Sequence, residues 1–329
     1  MKLYDTIPHY FLKFLRRKVY PKLFTPHNLP HVAYEEDLDK SNQMIYDLLA
    51  GDKPCMIGRF GGFEMFTAIN YMYVSGQLPH NIWKYIQGEG WEWWWNDRTL
   101  KSMEDNAGFW PATHENAERY AKLLIEDANY IDVTGTYYDA EWYFREQLKN
   151  TQQVSIFNLE PFFSSCPWTK AMKGKKILIV HPFVNTIKRQ YEECQSKLFE
   201  NPDILPEFEL KTFKAVQSLG GNADFKDWFE ALEYMEREID KIDYDIAILG
   251  CGAYGYNLAA HIKRQGKKAV HLGGATQLLF GIRGKRWDNP TPGMCKHGYY
   301  PDLMNEYWCR PNESETPKGA GKVEGACYW

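Results

Sequence analysis

Over most of its 329 residues the chain alternates short apolar runs with amphipathic helical patterns, and no other feature restricts its fold so strongly. The clearest unit comes late. An apolar run at 245–249 leads into the turn Gly250-Cys251-Gly252-Ala253-Tyr254-Gly255, then a helical pattern to about 265, a stop at Gly266, and a second run at 268–272. Strand, helix and strand within about 30 residues make a crossover that lays the two strands parallel. Similar runs stand at 54–58, 130–133, 154–157, 175–180 and 208–213, separated by helical patterns at 36–49, 65–74, 114–127, 140–148 and 224–241. In the last of these, Phe225, Trp228, Phe229, Leu232, Met235 and Ile239 form one stripe opposite Glu230, Glu233, Glu236 and Lys241, as expected of a helix with one face on a sheet. The pattern predicts an α/β chain: a Rossmann-like, doubly wound, mainly parallel sheet with helices on both faces.

Composition narrows the class. With 44% hydrophobic and 25% charged residues, the chain falls outside the disordered, collagen-like and membrane-spanning classes. Aromatic residues reach 16%, which suits core packing and equally stacking on sugar rings or bases. A net charge of -4 argues against a nucleic-acid partner, whose phosphates favour a basic surface. Seven cysteines without a C-x-x-C pair fit reduced thiols in the cytoplasm. Cys295, His297, Cys309 and Cys327 do not follow a common zinc spacing.

At the N-terminus, Tyr4, Ile7, Tyr10, Phe11, Phe14, Leu15 and Val19 recur at helical spacing among Lys13, Arg16, Arg17, Lys18 and Lys22. Such a basic amphipathic helix suits an anionic membrane surface, and also suits packing on its own domain. The expected organisation is this helix over 1–25, a Rossmann-like domain over 26–287, and an irregular aromatic-rich tail over 288–329. The tryptophan-rich stretch 88–98 has no clean period and reads as a loop or irregular helix, a candidate lid.

In an open parallel sheet, ligands bind beyond the carboxyl ends of the strands. Several chemically capable residues are predicted there. The turn Arg59-Phe60-Gly61-Gly62-Phe63-Glu64 joins a strand to a helix, so Arg59 can meet a diphosphate, Gly61 and Gly62 let backbone approach it, and Glu64 can bind a divalent metal or act as base. The turn through Gly252 and Tyr254 matches G-x-G-x-x-G, suited to an anion or to tight packing. The acidic residue that a dinucleotide ribose needs about 20 positions on is missing. Beyond the following strand lie His271, Gly273, Gly274, Thr276 and Gln277, then the cations Arg283, Lys285 and Arg286, suited to phosphates. Thr134, Glu160, His181 and Asn185 stand at or just past other strand ends; Glu160 and His271 join Glu64 as candidate acid/base groups.

The first of these turns resembles the R-F-G-D-G-E segment of bacterial GT-D-type glycosyltransferases, enzymes of surface polysaccharide and glycan assembly, and the unit at 245–274 is similar to that group's second glycine-bearing segment. The resemblance implies a nucleotide-sugar donor, a glycan or lipid-linked acceptor, and Mn2+ or Mg2+ held through the D-x-E carboxylates. Here the Asp position is Gly62, and only Glu64 carries over. The expected function is therefore glycosyl transfer, in the cytoplasm or peripherally on the inner face of the membrane. The alternatives are a Rossmann methyltransferase or oxidoreductase using the 250–255 turn, or a non-catalytic nucleotide- or glycan-binding module.

Overall fold

The computed structural model describes residues 9–217, 224–316 and 327–329. The part of the predicted N-terminal helix at Tyr4 and Ile7 lies outside them. Among the described residues, seven strands form one all-parallel sheet: β1 (Cys55–Gly58), β2 (Val133–Thr136), β3 (Gln152–Ser155), β4 (Lys176–His181), β5 (Glu209–Lys214), β6 (Ile246–Leu249) and β7 (Lys268–His271). Their order across the sheet is β3-β2-β1-β7-β6-β4-β5. The α/β class and parallel sheet expected from the alternation are what the chain forms.

Residue alternation along the strands explains the two cores. Met56, Leu178, Val180, Ala247, Leu249 and Ala269 face one side, where they meet the helices Gly62–Val74, His114–Asp127, Trp228–Ile239 and Gly255–Arg264. Ile57, Val133, Ile177, Ile179, Ile246, Ile248 and Val270 face the other, against Leu38–Ala50, Val184–Cys194 and the 3-10 segment Gly273–Phe280. A sheet buried on both faces needs such near-continuous apolar strands.

Capping fixes where several helices begin. Asp37 accepts from the Lys40 amide, Thr113 from Asn116 and Asp227 from Glu230, so the helices start at Leu38, His114 and Trp228. Two expectations shift. β2 runs to Thr136, three residues beyond the predicted end, and the helix expected at 140–148 is a 3-10 segment, Asp139–Phe144. The 88–98 stretch is no open lid: Trp93 is buried, Trp91 stacks on Phe66 (5.3 Å), and Trp94 stacks on His9 (4.0 Å). The tail runs back along the sheet's second face. Trp308 is buried there, and Cys309 bridges to Ile282.

Candidate functional site

Adjacent strands whose chains leave toward opposite faces open a crevice between their tips. β1 leads to the helix Gly62–Val74 on one face, whereas its neighbour β7 leads to Gly273–Phe280 on the other. The same divergence recurs between β6, which feeds Gly255–Arg264, and β4, which feeds Val184–Cys194. A cleft of about 390 Å³ spans these four tips.

From β1 it is lined by Arg59, Gly61, Gly62 and Glu64; from β7 by His271, Gly273, Gly274 and Gln277; from β6 by Gly252 and Tyr254; from β4 by His181; and Arg286 closes one side. The convergence predicted at the strand ends is therefore the geometry found for these residues. Five other candidates stand apart from the cleft lining. Thr134 lies inside β2 rather than at its tip, because the strand continues to Thr136. The Thr276 side chain packs against Gly250. Arg283 turns to Asp288 (3.0 Å) in an ion pair shared with Arg310. At the helix start, the backbone amides of Asn185 and Thr186 are taken by the buried carboxylate of Glu315 (2.7 and 3.1 Å), so the chain itself supplies the anion there. Glu160 sits behind the cleft, accepting from the Tyr300 hydroxyl (2.6 Å).

Arg59 is held at the crevice by its neighbours. Its Nη1 donates to the Phe60 carbonyl (3.4 Å), and its Nη2 rests where Gly273, at φ +65°, has no side chain: a Cβ there would be 2.7 Å away. Glu64 occupies the first turn of its helix with its carboxylate folded over Gly61, whose missing Cβ leaves that space. A carboxylate at this position is favoured by the helix dipole.

In the G-x-G-x-x-G turn, two of the glycines leave room for side chains of the chain itself. A Cβ on Gly250 would lie 2.5 Å from the His181 ring and one on Gly255 2.2 Å from the His271 Nδ1, so both gaps are filled by imidazoles. Gly252, at φ +59°, makes the left-handed turn between them. Both histidines are buried and lowered to about 3, His181 by burial and His271 by burial and then the nearby Arg59 charge, so both are neutral at pH 7. The Phe183 amide donates to the His181 Nδ1 (3.0 Å), which fixes that nitrogen as an acceptor.

Burial pushes the Glu160 carboxyl up to about 7, against the pull of the Tyr300 hydroxyl and the Arg59 and Arg286 charges. A raised folded-state value makes the ionised form a cost that grows as pH rises from about 4.3, the unfolded value, through 7. Glu160→Gln is therefore expected to raise the melting temperature most above pH 7, with the gain shrinking as pH falls towards about 4.3. Melting curves across that range check this; an equal gain at all pH values would contradict it.

Sequence reasoning missed the aromatic walls: Phe63, Phe66 and Tyr138 on one side, Phe183 and the tail residues Tyr328 and Trp329 on another. Tyr328 packs on Gly274, its hydroxyl accepts from the Arg286 Nη1 (3.0 Å), and its ring lies under the guanidinium. Only the aromatic excess hinted at such walls, and nothing local ties 328 to 274.

A D-x-E metal pair does not fit this cleft. Gly62 takes the Asp position, and among the described residues Glu64 is the one side-chain carboxylate on the lining and no three His, Cys, Asp or Glu side chains gather for an ion. Comparison with protein-family models, with curated proteins and with solved structures returned no match to the chain.

Proposed function

We propose that the cleft binds a nucleotide-sugar donor and transfers its sugar to a glycan or lipid-linked acceptor in surface polysaccharide assembly. One observation carries the reading. Among the described residues, and apart from two neutral histidines, the charged side chains lining the cleft are Arg59, Arg286 and Glu64, two cations and one carboxylate at the switch point of the sheet. Two guanidinium charges on one cleft suit a diphosphate, and an arginine can meet a phosphate with paired N–H groups. The aromatic walls offer flat faces for a base and a sugar ring. In the transfer step the anomeric carbon gains a bond to the acceptor oxygen and loses its bond to the diphosphate, which departs with the electron pair. The acceptor's proton passes to the Glu64 carboxylate. Arg59 and Arg286 stabilise the charge that develops on the leaving diphosphate.

The methyltransferase and oxidoreductase alternatives need open glycines at the 250–255 turn, and His181 and His271 fill the spaces at Gly250 and Gly255. Glu64→Gln is expected to bind uridine diphosphate as the parent does while transfer falls by roughly a hundredfold or more, the usual contribution of a general base. Release of nucleoside diphosphate over a panel of donors and glycan acceptors measures it. A Gln variant with full activity would remove Glu64 from the chemistry. A parent chain that binds donors but transfers to no acceptor would favour the non-catalytic module.

A further inference from the structure

Six of the ten large apolar side chains that the described residues leave most exposed cluster at the N-terminal end: Tyr10 (76%), Phe11, Phe14, Leu23 (68%), Phe24 and Trp83 (70%). The helical stretch His9–Leu23 is fixed by its opposite side. Leu12 is buried, and Arg16 lies over the Tyr85 ring (4.6 Å) while donating to the Gly90 carbonyl (2.6 Å). Trp94 stacks on His9 and carries Lys13 over its face (5.7 Å). The contacts that hold this helix therefore leave its other side outward.

That outward side combines aromatics with charge of one sign. Arg17, Lys18 and Lys22 are exposed among Phe14, Leu23 and Phe24, and no Asp or Glu occurs between residues 6 and 34. The packed helix Ile82–Gln87 adds exposed Trp83, with Lys84 beside it. Glu89, just beyond, is engaged by His27 (2.6 Å). Past the helix, His31 reaches Asp139 (3.0 Å), the neighbour of the cleft-lining Tyr138.

We infer that this face docks on an anionic lipid surface, the aromatics entering the interface and the three cations resting on headgroups. Aromatic rings with polar edges favour that boundary, and each cation close to it adds to the attraction. The positive charge among these exposed rings complements an anionic headgroup layer. The inference rests on exposure and charge alone, so it stands or falls apart from the reading of the cleft.

The test is sedimentation of the full chain, without donor, with phosphatidylcholine vesicles and with vesicles also containing phosphatidylglycerol. Binding is expected to the second kind and to fade with salt. The combined change Arg17→Ala, Lys18→Ala and Lys22→Ala is expected to weaken it roughly a hundredfold. Phe11→Ser with Phe14→Ser should weaken it too, and Leu23→Ser with Phe24→Ser gives an independent pair at the helix end should the first pair melt early. Three results overturn the inference: no binding to either vesicle, equal binding to both, or self-association in solution that the Phe11→Ser and Phe14→Ser pair abolishes, which would make a second copy the occupant.

Discussion

Arg59→Ala is expected to weaken uridine diphosphate binding by roughly a hundredfold while leaving the fold intact, since a hydrogen-bonded charge contributes about 1.5–3 kcal/mol, and more when two N–H groups engage one phosphate. The fold should survive because little of the core depends on this side chain: its contacts are the Phe60 carbonyl and the surface of Gly273. Binding should also persist in a chelator, because the proposed phosphate charge is met by Arg59 and Arg286 rather than by a metal held between two carboxylates. Titration calorimetry with and without chelator reads both outcomes. Arg59→Lys separates a point charge from a planar fork: it should recover only part of the loss, since an ammonium cannot present two parallel N–H groups. Equal affinity in parent and Arg59→Ala would remove the diphosphate from this part of the cleft.

The position of Arg59 is legible in the sequence because its information is local. A four-residue apolar run, two glycines and a helical pattern place it at a strand tip, and the alternation of strands and helices places strand tips at a ligand edge. His181, His271 and Gly273 were legible for the same reason. What the sequence does not carry locally is strand order. That β1 lies beside β7, rather than next to β4, follows from pairings more than 200 residues apart, and those pairings decide that Arg59 meets Gly273 and shares a cleft with Arg286. Thr134 fell outside the cleft because of a three-residue displacement of a strand end, where the polar pair Thr134 and Thr136 masks a buried strand. Glu315 was invisible for another reason. A carboxylate in an irregular tail has no period, and only its burial against the amides of Asn185 and Thr186 reveals that it caps a helix 130 residues away.

Gly255→Ala is the sharpest test of what the glycine-rich turn is for. Gly255 has ordinary helical angles, φ -60° and ψ -39°, so alanine is conformationally welcome and in open space would stabilise the helix, by at most about 1 kcal/mol at its first residue. The space is not open: the new methyl would stand 2.2 Å from the His271 Nδ1 and 2.3 Å from its Cε1. The imidazole has little room to withdraw, being buried on β7 with its Cβ 3.0 Å from the point where a side chain on Gly58 would begin. Overpacking of this kind typically costs 1–3 kcal/mol, so the expected outcome is a loss of about 2 kcal/mol in denaturant unfolding. The second arm is the double variant Gly255→Ala with His271→Ala. Because the clash needs both groups, the double variant should be less destabilised than the two single losses combined, a coupling that a cycle isolates. A phosphate-cradling glycine predicts the opposite pattern: unchanged or higher stability in Gly255→Ala, weaker ligand binding, and no coupling to His271. If the clash is found, the G-x-G-x-x-G turn is a device for seating two neutral imidazoles, His181 against Gly250 and His271 against Gly255, on the wall of the cleft. The diphosphate is then left to the arginines.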